Sequence, residues 1–399
     1  MRGPSTQSQR TGYYATAFAF IFALIFNVTA PAHAQTETVL YSFASQADGG
    51  YPNGALVQDA EGNLYGTASE GGSFSACTYG CGVVFKLPPD GTETVLHAFT
   101  GGADGSTPVA GILRDSSGNL YGTTTFGGST HARCHRGCGV IFKLTPEGTE
   151  TVLHTFNDGT DGAYPQSALI ADAQGNLYGT AQSDPPTTLQ PCGLVFKLTP
   201  ANSLTTFSIC NVQNLSGLVR DSLGNLYGTS TLGGSFGLGT VFEVTADGQT
   251  NILHSFAGGA SDGTTPIASL VLDPNGNLFS PTFSGGPYSA GTIFELNSQE
   301  KEKVVYSFNI SDGLYPHGGL IRDSQGNFYG TTENGGGYGS GEVFQLSPAG
   351  EETILYSFTG SVDGGVPQGT LLGDNSGNLY GVTIFGGTFN KGVVFKISR

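Results

Sequence analysis

The stretch DSSGNLYGT, which runs from Asp115 to Thr123, decides the fold of this chain. It is one of seven related copies, and the others begin at Asp59, Asp172, Asp221, Asp273, Asp323 and Asp374. In Asp-x-x-Gly-Asn the carboxylate can accept hydrogen bonds from backbone N–H groups two residues on, and glycine supplies the positive φ of a tight reversal. The Leu-Tyr-Gly-Thr that follows has the aromatic and β-branched composition of a strand. Every copy therefore predicts a tight turn between two short β-strands.

Each repeat contains four predicted strands. In the second repeat they are Ala110–Arg114, Asn119–Thr125, Gly139–Leu144 and Thr151–Phe156. The third strand follows a Gly-x-Val-Phe-x-Leu pattern, and we expect its aromatic residue to lie in the core between repeats: Phe85, Phe142, Phe196, Phe242, Phe294, Phe344 and Phe395. The repeat length of about 50 residues is typical of a four-stranded propeller blade. The chain is predicted to be all-β, a seven-bladed β-propeller of four-stranded antiparallel blades.

The two ends of the repeat array predict that the ring closes. The last repeat stops after its third strand, Gly392–Ile397, and an unpaired fourth strand, Thr38–Phe43, precedes the first repeat. Pairing the two completes the seventh blade and removes an open strand edge, which would otherwise favour aggregation. An open solenoid is the alternative.

The first 34 residues are predicted to be a signal peptide that is removed. Arg2 and Arg10 precede an apolar run, Ala15–Ala30, and Ala32-His33-Ala34 matches the small-x-small cleavage pattern. A membrane anchor is the alternative, although the run is shorter than the ~20 residues of a spanning helix. We expect a secreted protein, extracellular or periplasmic, with no transmembrane anchor after cleavage. Residues 35–399 then form a single domain, and we expect a monomer.

The charge of the chain excludes one class of partner. Without Arg2 and Arg10 the mature chain has 13 basic residues against 31 acidic ones, a net charge of −18. Such a surface repels phosphate backbones, so we expect no nucleic acid partner.

The repeats resemble those of the GloVer tandem-repeat family of exported bacterial proteins, which carry Gly-Asn-Leu-Tyr-Gly-Thr-Thr, Gly-Gly and Gly-x-Val-Phe-x-Leu in this order. The resemblance covers residues 37 to 397. It implies an exported protein, and the family is associated with interchangeable C-terminal surface anchors. This chain ends at Ser398-Arg399, which departs from that pattern. More distantly, Asp-x-x-Gly-Asn-Leu-Tyr is similar to the turn of NHL-type and streptogramin-lyase-like propellers.

Candidate binding residues fall on one face. The long loops, fourth-to-first and second-to-third strand, share one face of a propeller, and binding residues concentrate on such loops. Six of the inter-blade loops contain Asp-Gly-x-x-Pro, and its carboxylates are candidate ligand-binding residues around the channel mouth: Asp48, Asp104, Asp161, Asp262, Asp312 and Asp363. Such a rim would bind sugar hydroxyls or a cation, and calcium suits ligands that are all oxygen. Otherwise these residues only form turns. No cofactor is expected apart from that calcium.

The six cysteines predict disulfides in an exported chain. Cys192 and Cys210 lie at meeting ends of neighbouring strands and should pair. The equivalent loops of the first two repeats contain Cys77, Cys81, Cys134 and Cys138. Pairing within each loop is simplest, and Cys77–Cys134 with Cys81–Cys138 is the alternative. His131 and His135 complete a His-x-x-Cys-His-x-x-Cys pattern that could hold zinc. The first repeat has the same cysteine spacing without histidine, which favours disulfides.

No catalytic motif stands out: the sequence has no His-Glu-x-x-His, Gly-x-Ser-x-Gly or phosphate loop. His97, His154 and His254 recur on the fourth strand, where other blades have Tyr41, Tyr306 and Tyr356, and are interpreted as packing residues. We expect a non-catalytic binding or adhesion module for an extracellular carbohydrate, cation or protein. The alternatives are an enzyme, a lyase or polysaccharide-active hydrolase with its site at the channel mouth, and a structural envelope protein.

Overall fold

The computed structural model describes residues 35–130, 134–183 and 192–399, of which Gln35–Arg399 is one compact unit. The predicted signal peptide lies outside the described residues. Within them, regular structure consists of β-strands without a helix, so none is long and apolar enough to cross a membrane. The strands form seven small antiparallel blade sheets, one for each repeat, and in blade 5 Gly263–Thr264 and Ser284–Gly285 form a separate two-stranded sheet. The protein is a seven-bladed β-propeller, which confirms the predicted fold.

Each blade has two central strands, an outer strand and a broken innermost strand. The described strands, from the axis outward, are in blade 1 Gly50–Pro52, Val57–Gln58, Leu64–Glu70, Val83–Leu87 and Thr94–Ala98; in blade 2 Leu113–Arg114, Leu120–Thr124, Val140–Leu144 and Glu150–Thr155; and in blade 3 Ile170–Ala171, Leu177–Ser183, Cys192–Leu198 and Leu204–Cys210. Blade 4 consists of Val212–Leu215, Val219–Arg220, Leu226–Gly233, Thr240–Val244 and Thr250–Ser255, and blade 5 of Gly263–Thr264, Val271–Leu272, Leu278–Thr282, Ser284–Gly285, Thr292–Leu296 and Glu302–Ser307. Blade 6 consists of Leu314–Pro316, Ile321–Arg322, Phe328–Asn334, Glu342–Leu346 and Glu352–Ser357, and blade 7 of Gly365–Pro367, Leu372–Gly373, Leu379–Phe385, Val393–Ser398 and, from the N-terminus, Thr36–Ser42.

The innermost strand is shorter than predicted. In blade 2 only Leu113–Arg114 pairs with the second strand, and the predicted start at Ala110 is not part of the ladder. The carbonyl of Ala110 instead accepts a hydrogen bond of 2.8 Å from Thr67 Oγ1 of blade 1. At this position near the axis, the backbone carbonyl therefore bonds to the preceding blade and not to its own.

The repeated turn has the hydrogen bonds that its sequence predicts. Asp115 Oδ1 accepts from the backbone N of Ser117 at 2.9 Å and of Asn119 at 2.9 Å. Its Oδ2 accepts from Asn119 Nδ2 at 2.8 Å and from the Tyr121 hydroxyl at 3.1 Å. Blade 5 lacks the last bond because Phe279 replaces the tyrosine. The motif is thus a self-contained turn, satisfied within its own blade.

The ring closes through the N-terminal strand, as predicted. Thr36–Ser42 pairs antiparallel with Val393–Ser398, with Thr36 opposite Ser398 and Ser42 opposite Val393. Phe43 follows this strand, is fully buried, and meets Phe85 of blade 1 with ring centroids 5.2 Å apart. The first described strand therefore holds blade 7 together and packs it on blade 1.

The third-strand phenylalanines form the core between blades, which confirms their prediction. Phe142 is fully buried, and its ring lies 5.2 Å from that of Phe99 on the outer strand of the preceding blade. Gly122 makes room for it, because a Cβ there would stand 2.6 Å from the ring. Equivalent edge-to-face pairs join five other pairs of blades. At six of the seven junctions a third-strand ring thus packs against a phenylalanine of the preceding blade, and at the junction of blades 3 and 4 Phe242 packs in a cluster with Ile209 instead.

Removal of the closing strand should destabilise the whole ring. A protein that begins at Ser45 exposes the edge of Val393–Ser398 and loses the burial of Phe43, a side chain worth roughly 1.5–3 kcal/mol. We expect a markedly lower melting temperature by circular dichroism than for the protein that retains residues 35–44. A melting temperature within a degree or two of the longer protein would contradict closure through this strand.

Truncation of one core ring should also be costly. Phe142→Ala leaves a cavity between two blades and is expected to lower the free energy of unfolding by about 3–5 kcal/mol. Urea titration measures this loss, and Leu223→Ala, at a site that is 79% exposed, is the matched control. A loss below about 1 kcal/mol, the scale of a surface change, would place the ring outside the core.

Candidate functional site

The two faces of the propeller differ in their connections. One carries tight turns, between the first and second strands and between the third and fourth. The other, here called the long-loop face, carries the inter-blade loops and the loops between the second and third strands, such as residues 99–112 and 71–82 of the first repeat. The Asp-Gly-x-x-Pro motif, the carboxylates beside it and the second-to-third loops lie on this face.

Asp-Gly-x-x-Pro joins neighbouring blades. The residue before the proline has positive φ in every copy, for example 58° at Thr107, and its N–H donates to a carbonyl of the preceding blade, here Cys81 at 2.8 Å. The ring of Pro108 fills the space beside Gly82, where a Cβ would stand 2.4 Å from its Cδ. The same inter-blade bond is made by Tyr51, Tyr164, Thr265, Tyr315 and Val366. A left-handed residue before proline is unfavourable, so these contacts hold it in place.

The six motif aspartates lie beside the outer strands and not at the channel mouth, so their predicted location is wrong. Asp363 Oδ2 accepts from the Tyr356 hydroxyl at 2.9 Å and from the backbone N of Thr359 at 2.8 Å. The other five likewise face a tyrosine or histidine of the preceding outer strand, in the pairs Tyr41–Asp48, His97–Asp104, His154–Asp161, His254–Asp262 and Tyr306–Asp312. Loop N–H groups and these side chains draw the carboxylates outward. Ligand binding by them stays a prediction.

Five glutamates, which the sequence analysis missed, face these aspartates from the next blade. Burial raises the pKa of Glu93 to about 7, and repulsion from Asp48 adds to the increase. Burial, and to a smaller extent repulsion from a neighbouring aspartate, also raises the pKa of the other four glutamates to about 7: Glu37, Glu150, Glu302 and Glu352. The Oε1 atom of each is buried and has no hydrogen-bond partner among the described residues. The available signal was a glutamate recurring at the start of the outer strand, as in Gly91-Thr92-Glu93 and Gly148-Thr149-Glu150.

A central cavity of about 400 Å³ lies where the inner segments of all seven blades meet. Among the described lining residues His317 is the one ionisable side chain, and the others are small residues, hydroxyls, apolar side chains such as Leu215, and amides such as Gln166 and Gln368. His317 Nε2 lies 3.7 Å from Glu333 Oε1, which also accepts from Gln368 Nε2. Burial lowers the pKa of His317, although the Glu333 charge acts in the opposite direction. The cavity therefore offers one imidazole together with serine and threonine hydroxyls.

The second-to-third loops carry exposed aromatic rings at equivalent positions. Each ring follows Gly-Gly-x, of which the sequence analysis named only the glycines. The side chains are between 53% and 69% exposed: Phe74, Phe236, Tyr288, Tyr338 and Phe389. Blade 2 has Thr130 there, and the corresponding loop of blade 3 includes undescribed residues. Five blades therefore present an unpacked ring to solvent on one face. We call these residues the aromatic ring set.

The cysteines pair locally. Cys77–Cys81, Cys134–Cys138 and Cys192–Cys210 have Cα separations of 5.2, 5.1 and 4.0 Å. The cross-loop alternative is therefore not adopted. Because both sulfurs of the His-x-x-Cys-His-x-x-Cys pattern are bonded to each other, they cannot bind zinc as thiolates. His135 is exposed to solvent, and His131 lies outside the described residues.

The pattern of the Gloeobacter/Verrucomicrobia repeat family matches residues 23–188 and 187–395. The chain belongs to this family. The match confirms the resemblance inferred from the repeated motifs, and it covers the turn, the third strand and the Gly-Gly loops of the repeat. Comparison with curated proteins gives no match.

Solved structures share the fold of this Gloeobacter/Verrucomicrobia repeat protein at low sequence identity. The gluconolactonase XC5397 from Xanthomonas campestris has 15% identity and a TM-score of 0.45, with 91% of this chain and 89% of that chain covered. An extracellular domain from B. thetaiotaomicron, BT4673, has 11% identity and a TM-score of 0.56, with 91% and 40% covered. A puromycin hydrolase mutant has 12% identity and a TM-score of 0.54, with 86% and 52% covered. The last two similarities support the propeller fold alone.

The carboxylates of the repeat predict a stability maximum in mild acid. Burial raises the pKa of Glu93 from 4.5 to about 7, so its share of the stability is complete below pH 4.5 and is lost as the pH rises through 7. Burial also acts to raise the pKa of Asp172, but hydrogen bonds from Asn176 and Tyr178 outweigh it and lower the pKa from 3.8 to about 2. Its share is present above pH 3.8 and is lost as the pH falls through 2. We expect the melting temperature to peak near pH 4.

A variant separates the glutamate contribution. Glu93→Gln should flatten the decline of the melting temperature between pH 4.5 and 7, whereas the exposed Glu147→Gln should leave it unchanged. An unaltered decline in Glu93→Gln, or a stability that rises steadily up to neutral pH, would contradict the assignment.

Proposed function

We propose that this protein is an exported, non-catalytic binding module that holds polysaccharide chains on its long-loop face through the aromatic ring set. The observation that carries the proposal is the recurrence of one exposed aromatic side chain at the same loop position in five blades. Single exposed apolar residues are ordinary on protein surfaces. Five at matching positions on one face, following the same Gly-Gly-x sequence, indicate a selected surface.

Export is supported by the disulfides. Three disulfides form within the described residues, and disulfides form and persist in oxidising compartments. The charged, then apolar, then small-residue order of residues 1–34 agrees with this compartment. We therefore propose that the protein acts outside the cytoplasm, in the periplasm or the extracellular space.

The separation of the rings favours a polymer of sugars over a protein surface. Protein interfaces are built around a contiguous packed core, whereas these rings stand on separate loops of separate blades. An aromatic face is electron-rich and packs against the apolar C–H face of a sugar ring. Repeated identical sites suit a ligand with repeated units, and linked contacts of modest strength add up to high avidity.

The charge of the chain limits the class of polysaccharide that it can bind. A net charge of −18 for residues 35–399 opposes anionic polymers. A neutral polysaccharide is therefore the preferred ligand. The six motif aspartates are not needed for this binding, because each is already bonded within its own junction.

A second candidate is an enzyme that acts in the central cavity, with His317 as general acid or base. It rests on one observation, that a histidine lines the cavity with Glu333 behind it. The cavity holds no second ionisable lining group among the described residues, so the binding function is favoured.

Glycan binding is tested with a panel of neutral and acidic polysaccharides in affinity electrophoresis and sedimentation assays. We expect retardation by a neutral polysaccharide. Tyr338→Ala should weaken it about fivefold, since one aromatic contact is worth about 1 kcal/mol, and replacement of all five rings should abolish it.

The control is Leu223→Ala, which removes an equally exposed apolar side chain on the opposite face. Its binding should equal that of the unaltered protein, and all melting temperatures should agree. Undiminished binding by the five-ring variant would reject the aromatic ring set. Loss of polysaccharide binding in His317→Ala, with binding kept in the five-ring variant, would instead favour a site in the central cavity.

A further inference from the structure

The junction between blades 4 and 5 gathers three potential metal ligands. His254 comes from the outer strand of blade 4, Asp262 from the inter-blade loop, and Glu302 from the outer strand of blade 5. One ligand atom from each lies within 4.8 Å of the other two. Among the described residues, no other group of three or more histidines, cysteines, aspartates or glutamates meets at this spacing.

Two of these groups present buried atoms that no described residue satisfies. His254 Nε2 and Glu302 Oε1 are shielded from solvent and make no hydrogen bond. Nε2 lies 3.6 Å from Asp262 Oδ2, too far for a hydrogen bond. A buried polar atom without a partner destabilises the fold, so a bound group that contacts both atoms would remove this cost.

Asp262 is already oriented toward that point. It is 8% exposed, and its Oδ2 and Oδ1 accept from the backbone N of Ala257 and of Gly263, each at 2.7 Å. Such bonds fix a carboxylate as the outer partners of a metal ligand do. His254 is held by an edge contact of its ring with Phe256, at 4.7 Å.

The other junctions show what the same position does without this set. A tyrosine replaces the histidine at three of them, and its hydroxyl donates to the aspartate, as Tyr306 does to Asp312 at 2.7 Å. At the junction of blades 2 and 3, His154 Nε2 and Asp161 lie 3.0 Å apart and bond directly. The junction of blades 1 and 2 has the same residue types, His97, Asp104 and Glu150, with the same 3.6 Å between His97 Nε2 and Asp104 Oδ2 and the same two unpartnered atoms, but its three groups do not all lie within 4.8 Å of one another. An imidazole and two carboxylates therefore meet at one junction of the described ring.

We propose that His254, Asp262 and Glu302 bind one Zn²⁺ ion that fastens blade 4 to blade 5. One imidazole nitrogen and two carboxylate oxygens are common zinc ligands, and water completes a tetrahedral site. Bonds of ~2.0–2.1 Å in that geometry place ligand atoms about 3.3 Å apart, close to the separation between His254 and Asp262. Calcium takes six to eight oxygen ligands, so a three-ligand site with nitrogen favours zinc. The ion would satisfy both unpaired atoms and offset the repulsion between the carboxylates.

The test uses purified protein treated with chelator, dialysed, and then titrated with ZnCl₂ or CaCl₂ alone in a calorimeter. We expect one zinc ion per chain and a melting temperature that rises with zinc concentration, because the ion binds only the folded junction. Calcium should produce neither effect. The cysteines cannot contribute, since all six form disulfides.

Three variants locate the site. His254→Tyr converts this junction to the chemistry of the Tyr306 junction, so the fold is kept while zinc affinity should fall by more than about tenfold. Glu302→Gln should cause a similar fall and serves if His254→Tyr does not fold. His97→Tyr, the matched change at the junction of blades 1 and 2, should leave zinc binding intact. The absence of zinc binding, or its persistence in folded Glu302→Gln, would overturn the proposal.

Discussion

The propeller depends on the contact between the outer-strand phenylalanine of one blade and the third-strand phenylalanine of the next. Phe99 and Phe142 show it most simply: two buried rings meet edge to face, over a glycine that leaves the needed space. No single blade can bury such a ring alone. The contact is made between neighbouring blades at six of the seven junctions, with Ile209 packed in the cluster of Phe242 at the other, and only a closed ring gives every blade a neighbour on both sides. The N-terminal strand provides the last neighbour, because Phe43 meets Phe85.

The Asp-Gly-x-x-Pro motif has a structural role at the same junctions between blades. In the sequence it suggested an acidic rim, whereas in the structure it sets the spacing between blades through the N–H before proline and through the proline ring. The aspartate serves the outer strand, where it meets a tyrosine or histidine. This leaves the surface of the long-loop face to the second-to-third loops. The ends of these loops next to the third strand accept the inter-blade bonds, as Cys81 does, whereas their tips present unpacked aromatic rings.

The sequence determined most of the fold because its motifs are local and repeated. The turn of Asp115, the burial of Phe142 and the ring closure by residues 36–42 all follow from short patterns and spacing. The candidate site was less accessible. The direction in which Asp48 or Asp363 points depends on a partner from the preceding outer strand, and side-chain direction is not written in loop composition. The meeting of His254 with Glu302 joins residues 48 positions apart, on different blades, through a geometry that their neighbours of the same type do not share. The exposure of Tyr338 depends on the conformation of its loop tip, which loop composition does not reveal. The sequence signal for the aromatic ring set was an aromatic residue two positions after Gly-Gly.

The pairing of Thr36–Ser42 with Val393–Ser398 has a consequence for biogenesis. A ribosome makes the outer strand of the seventh blade first and its partner last, more than 350 residues later. Until then the nascent chain carries an unmatched strand at its leading end and an incomplete sheet at its trailing end. Contacts so distant in sequence form slowly and leave intermediates open to aggregation and proteolysis. A chain that stops before Val393 therefore leaves the edge of Thr36–Ser42 unpaired and the seventh blade incomplete.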